Sequence, residues 1–188
     1  MILAAFFILG FGLCAAERTR KIPEDVNGTI FRSTLAVLQK NDTLHLLWKS
    51  IDLTLVQKCL FSEFLNKTDK GSRRTLGFSS DTPKINVTTT VVQQIPFPLL
   101  DMKPDVEGDL PTRWTEPKDL LYANKNCFVL EARVRPDYRL SCVVFGFEGK
   151  GRNCFLFANK NCVTGHKIDL ASCDKPLKQA KKQETQHK

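Results

Sequence analysis

Histidine is scarce in this chain of 188 residues, which holds only His45, His166 and His187. His45 falls in an apolar, strand-like run, His166 beside Lys167 in what reads as a loop, and His187 near the C-terminus. No G-x-S-x-G, H-E-x-x-H or glycine-rich phosphate loop occurs. With few candidate bases and no activating motif, the chain is expected not to be an enzyme, and no cofactor is expected. Short C-x-x-C pairs are also missing. Five of the seven cysteines, Cys127, Cys142, Cys154, Cys162 and Cys173, are separated by 14, 11, 7 and 10 residues, which argues against zinc. The uncharged opening run, MILAAFFILGFGLCAA, has 16 residues, short of the roughly 20 that a spanning helix needs. There is no internal repeat.

What is present points outside the cell. The opening run ends in small residues before Glu17 and reads as a secretory signal peptide, residues 1–16. Its removal takes Cys14 and leaves six cysteines, an even number that favours disulfides in an oxidising compartment. Six cysteines can pair in many ways, so parity fixes no connectivity. Four N-x-T sequons, at Asn27, Asn41, Asn66 and Asn86, agree with secretion and mark surface positions. The formal charge is +8. Part of it lies in residues 174–188, DKPLKQAKKQETQHK, a segment too polar to pack and expected to be a disordered basic tail. A single domain over residues 17–173 remains.

Within it, TIFRSTLAVLQKND places Ile30, Phe31, Thr34, Leu35 and Leu38 on one face of an N-terminal helix. TLHLLWKSIDLTL is β-compatible, QKCLFSEFLNKTD carries Cys59, and RRTLGFSS is a weaker strand. INVTTTVV alternates, with Ile85, Val87, Thr89 and Val91 on one face and Asn86 on the polar one. Residues 95–118 hold five prolines and read as loop, edge strand or bent hairpin, with Trp114 as the anchor to the core. NCFVLEARV puts Phe128, Leu130, Ala132 and Val134 on one face and Cys127, Val129, Glu131 and Arg133 on the other. Arg135-Pro136-Asp137 turns the chain, and Val143, Phe145 and Phe147 share a face opposite Cys142. The two cysteines thus point outward, toward a helix formed by CFLFANKNC.

These runs, LLYANKNCFVL, LSCVVFGF, CFLFANKNC and HKIDLASC, preceded by LHLLWKSIDL and KCLFSEFLN, resemble the tick salivary lipocalins of the histamine-binding type. The likeness covers roughly residues 28–173 and is thin through 70–118. It implies a mainly β fold, an antiparallel up-and-down barrel with a short N-terminal helix and a C-terminal helix outside it. It also implies bridges Cys59–Cys173 and Cys127–Cys154, leaving Cys142–Cys162. Two departures stand out. The amine-binding members carry Asp just after the cysteine matching Cys127, and Glu-Leu-Trp on the next strand; here Phe128 and Val143-Val144-Phe145 occupy those places. The prolines of 95–118 fall where later barrel strands belong and leave closure of the barrel open.

The functional expectation is a secreted, monomeric binding protein that modulates host defence by sequestering a fatty acid or eicosanoid-like lipid, without the amine motif. Its candidate ligand-binding residues are Val87, Val91, Phe128, Leu130, Val143, Phe145 and Phe147, with Lys49 or Arg133 as partners for a polar head. Each would equally serve as core filling. The competing expectation is a filled barrel that meets a host protein through loop 95–118 or the loop around Glu148–Arg152. Neither nucleic acid nor an integral membrane span is expected.

Overall fold

The computed structural model describes residues 24–54, 56–78, 82–134 and 139–173. The stretches read as a leader (1–16) and as a basic tail (174–188), the segment Arg135-Pro136-Asp137 read as a turn, and the side chains of Arg133 and Val134 lie outside the described residues. Helix α1 (Glu24–Leu38) is followed by β1 (Leu44–Ser50), β2 (Phe61–Ser62), β3 (Phe64–Thr68), β4 (Gly71–Leu76), β5 (Ile85–Val92) and β6 (Leu99–Pro104). The one-turn helix α2 (Thr112–Thr115) leads to β7 (Lys118–Ala123), β8 (Cys127–Val134), β9 (Leu140–Gly146), helix α3 (Arg152–Asn161) and the short β10 (Gly165–Lys167).

The strands form one antiparallel sheet in the order β10-β1-β9-β8-β7-β6-β5-β4-β3, with β2 also pairing β1. This is an incomplete lipocalin-like barrel, thin at two places. Leu44 and His45 alone pair β1 with Ser62 and Phe61 of β2, and only Leu99 and Leu100 pair β6 with Asp119 and Lys118 of β7. The rest of that edge of β1 is taken by β10, which pairs Trp48, Lys49 and Ser50. His166 thus stands in a strand, not in the loop expected of it. Gly165 is needed there, because a Cβ would lie 2.2 Å from the Lys49 carbonyl oxygen and 2.4 Å from the Trp48 ring.

Alternation divides the side chains into two clusters. The interior takes Val87, Val91, Leu100, Leu120, Phe128, Leu130, Val143, Phe145 and Phe147, together with Val37 and Leu38 of α1. On the outside, Leu47, Trp48, Cys127, Val129, Cys142 and Val144 are buried with Cys154 and Ala158 of α3. Disulfides Cys127–Cys154 and Cys142–Cys162 rivet α3 to β8 and β9. Cys59–Cys173 joins the end of the loop after β1 to the last described residue, across 114 residues of chain. These are the pairings that the resemblance implies. By loop entropy alone the last contributes about 4–5 kcal/mol.

The interior is plugged by a cation. Arg74 of β4 is 0 % exposed. Its guanidinium donates to the carbonyls of Leu38 (2.8 Å), Lys40 (3.3 Å), Asp42 (2.6 Å) and Ser62 (2.9 Å), and its Nε donates to Ser62 Oγ (3.0 Å). Leu38 is the last residue of α1 and Lys40 follows two residues on, where helix carbonyls lack partners and the dipole is negative. Burial pulls the Arg74 pKa down to about 10, partly opposed by Asp42, so the group stays charged at neutral pH.

One surface expectation is corrected. Helix α1 begins upstream of the segment read as helical and takes in Asn27, which is 6 % exposed and donates from Nδ2 to the Gln94 carbonyl at 2.8 Å. A glycan on that nitrogen would replace the contact and hold α1 off the barrel. Asn41, Asn66 and Asn86 are exposed, and Asn86 lies opposite buried Val87 as its alternation requires.

Two outcomes are expected. Glycopeptide mass spectrometry of the folded protein, expressed through a eukaryotic secretory pathway, will find occupancy at Asn41, Asn66 or Asn86 and none at Asn27. Arg74→Met will strip donors from four carbonyls and lower stability by about 3–5 kcal/mol, read as a lower urea midpoint at unchanged slope; Arg74→Lys, with a single ammonium, will recover less than half.

Candidate functional site

The barrel centre holds only a void of about 20 Å3, bounded by Leu38, Leu44, Arg74, Phe128, Leu130 and Phe145 among others. A cavity of about 240 Å3 lies at the end where β8 finishes and β9 begins. Its apolar wall is Leu53, Val56, Trp114, Leu130, Ala132 and Val143, and its polar positions are Asp52, Thr54, Arg113, Lys118 and Glu131. Leu130 borders both spaces and is the partition between them.

Each wall has a local cause. The loop after β1 is pulled over the opening by Lys49, which is 5 % exposed and donates from Nζ to the carbonyls of Leu53 (2.8 Å) and Val56 (2.7 Å). Burial, reinforced by Lys58, pulls the pKa of that ammonium down. Ser141 Oγ donates to Asp52 Oδ2 at 2.5 Å and fixes the same loop to β9. Trp114 is brought in by α2, where the proline-rich segment makes a single helical turn; its ring packs edge-on to Phe145 with centroids 6.3 Å apart. Phe145 in turn stacks on Phe128 at 5.9 Å, so the cavity floor continues into the core.

On β8 a bulge between Glu131 and Arg133 interrupts the pairing with Cys142 and Ser141. Strict alternation would send Glu131 away from Leu130. The bulge instead lets Leu130, Glu131 and Ala132 all line the cavity. Burial raises the Glu131 pKa, helped by Asp119 and opposed by Lys118, and burial also raises that of Asp119.

Of the seven residues read from the sequence as ligand-binding, Leu130 and Val143 line the cavity. Phe128 and Phe145 border only the central void, and Val87, Val91 and Phe147 fill the core and border neither space. The sequence reading missed Leu53, Val56, Arg113 and Lys118 as cavity walls, whereas Ala132 follows from its alternation with Leu130. The first two sit in an irregular loop with no periodicity to read. Lys49 is committed to loop carbonyls, and the cations on the cavity wall are Arg113 and Lys118. Among the described residues no group of three His, Cys, Asp or Glu converges to hold a metal, and no helix is long and apolar enough to cross a membrane.

No family model and no curated protein matches the sequence. Among solved structures, Japanin from Rhipicephalus appendiculatus, a tick salivary lipocalin determined bound to cholesterol, superposes with a TM-score of 0.52 at 16 % identity, covering 71 % of this chain and 95 % of that one. At that identity the likeness shows the lipocalin-like fold.

The carboxylate shifts set a pH dependence. A carboxyl whose folded pKa lies above its unfolded value favours folding most below the unfolded pKa, and the benefit is lost as pH rises through the folded one. Glu131→Gln removes that loss. It will raise the melting temperature at pH 7, and the gain over wild type will vanish below about pH 4, under the ordinary glutamate pKa; thermal melts across pH 3–8 (roughly the range over which these carboxyls titrate) check it.

Proposed function

We propose that this chain is a secreted, non-catalytic binding protein of the tick salivary lipocalin type, which sequesters a small, mainly apolar mediator such as a fatty acid or eicosanoid-like lipid. The observation that carries the reading is the 240 Å3 cavity, whose six apolar wall residues are joined by two cations, Arg113 and Lys118, and two carboxylates, Asp52 and Glu131. That volume lies below the roughly 300–1,000 Å3 of pockets that enclose drug-sized ligands. The ligand therefore inserts one apolar end against Trp114, Leu130 and Val143 and leaves its head at the rim, in reach of Arg113 and Lys118. The neighbouring lipocalin, solved with cholesterol bound, supports a lipid over a polar ligand; the acid of the amine-binding pattern is missing at Phe128, but Asp52 and Glu131 bring two carboxylates to the cavity wall, so histamine is the competitor that the titration has to exclude.

A second reading has an observation of its own. The solid barrel centre and the exposed side chains of Val92 and Ile95, the latter 80 % exposed on the turn between β5 and β6, fit a scaffold that meets a host protein through its loops.

The test uses the two tryptophans. Trp48 lies on the outer face among α3 residues, so Trp48→Phe leaves Trp114 as a reporter inside the cavity. Titration with a fatty-acid series and a leukotriene will give a saturable fluorescence change, histamine will give none, and Ala132→Phe, which fills the cavity, will weaken binding at least about tenfold. No response to any lipid, with no lipid copurifying in native mass spectrometry, overturns the lipid reading in favour of the protein partner.

A further inference from the structure

At the opposite end of β8 and β9 from the cavity lies a second concavity, a groove of about 510 Å3 lined by Thr29, Ser33, Ala123, Asn124, Lys125, Asn126, Lys150, Arg152 and Asn153. Its lining has three cations and no carboxylate, and the cations Lys125, Lys150 and Arg152 are exposed. The rest of the lining is amide, hydroxyl and a single alanine methyl. We infer that this groove is a binding surface for a sulfated polysaccharide.

Two properties support it. The first is rigidity. Asn124 Oδ1 accepts from the backbone N–H of Asn126 (2.8 Å) and Cys127 (3.2 Å), and Lys40 Nζ donates to the Lys125 carbonyl at 2.6 Å. Asn126 in turn accepts from Phe147 N at 3.1 Å, and Lys150 N donates to the Phe147 carbonyl at 3.1 Å, in the turn where Gly149 has φ +70°. Gly146 permits the close approach, since a Cβ there would lie 2.6 Å from the Cys127 Cβ. Disulfide Cys127–Cys154 then ties this pair of turns to the first turn of α3, which carries Arg152. The three cations stand on backbone that is already fixed, so a polyanion orders little beyond the side chains themselves.

The second is the chemistry of the lining. Cations suit sulfate groups, and the amides of Asn124, Asn126 and Asn153 with the Ser33 hydroxyl suit sugar hydroxyls. A single-stranded nucleic acid would need stacking platforms, and the lining has no aromatic side chain. The choice of a sugar over a nucleic acid also rests on the extracellular reading, through the leader and the sequons.

The experiment measures full-length protein binding to heparin across a salt series, beside a Lys125→Gln/Lys150→Gln/Arg152→Gln variant and a second variant with the five lysines of residues 174–188 changed to Gln. The groove variant is expected to lose about tenfold or more in affinity near physiological salt, and the slope of log K against log salt is expected to fall by about 2–3, one counterion per lost cation. Its melting temperature and its cavity fluorescence titration should match wild type, which separates this inference from the lipid reading: either can fail alone. Heparin binding by the groove variant equal to wild type, loss of binding only in the tail variant, no binding by wild type, or duplex DNA bound as tightly with the same dependence on the groove would each overturn it.

Discussion

A single guanidinium holds the closed end of this molecule together. Arg74 joins three segments far apart in sequence: the end of α1, the link from α1 to β1, and β2. It does so through carbonyls and a hydroxyl, with the Asp42 charge favouring its charged form. Burying a charge is costly unless its hydrogen bonds are satisfied. Here the satisfaction is mutual, because the end of α1 would otherwise bury carbonyls without donors. The neighbouring inward positions follow suit: Ser72 and Thr89 meet at 3.1 Å beside it. Arg74 also excludes the volume that a deeper calyx would need.

The cavity is therefore displaced to the other end, and its shape is a consequence of that plug. Phe128, Phe145 and Leu130 complete the filling of the centre, and the cavity opens where α2 and the loop after β1 bridge the rim. That rim is itself polar in its wiring. Lys49 and the Ser141–Asp52 hydrogen bond draw an irregular loop over apolar walls. A buried lysine is thus used as a structural staple, while the cations that face the cavity come from the proline-rich segment and from β7.

Much of the fold was legible because its signals were periodic or covalent. The alternation of INVTTTVV put Val87 and Val91 inside and Asn86 outside, and the two cysteine-bearing strands turned their sulfurs toward α3. The site was less legible. Leu130 and Val143 follow from alternation, but Glu131 joins them only through a bulge, which adds one residue to a ladder and leaves no mark in a hydrophobic pattern. Arg73 and Arg74 look alike in sequence. One is half-buried and pairs with Asp105, the other is the plug; only their partners distinguish them, Asp105 for Arg73 and the carbonyls of Leu38, Asp42 and Ser62 for Arg74. Asn27 was misread because a sequon was taken as a sign of surface, when it lay on the docking face of a helix that began earlier than its apolar pattern.

The disulfides are unevenly placed, and the asymmetry has a mechanical meaning. All three fall among the loop after β1, β8, β9, α3 and the C-terminal segment; none touches β3 to β6. The uncrosslinked strands meet β7 across two residue pairs, and β2, just before them, meets β1 across another two. The molecule is a clamped half-shell carrying an unclamped one, and local opening is drawn from the less tethered part. Every described wall of the cavity belongs to the clamped half or to α2 beside it. The unclamped hairpins can breathe or drift in sequence while the pocket keeps its shape.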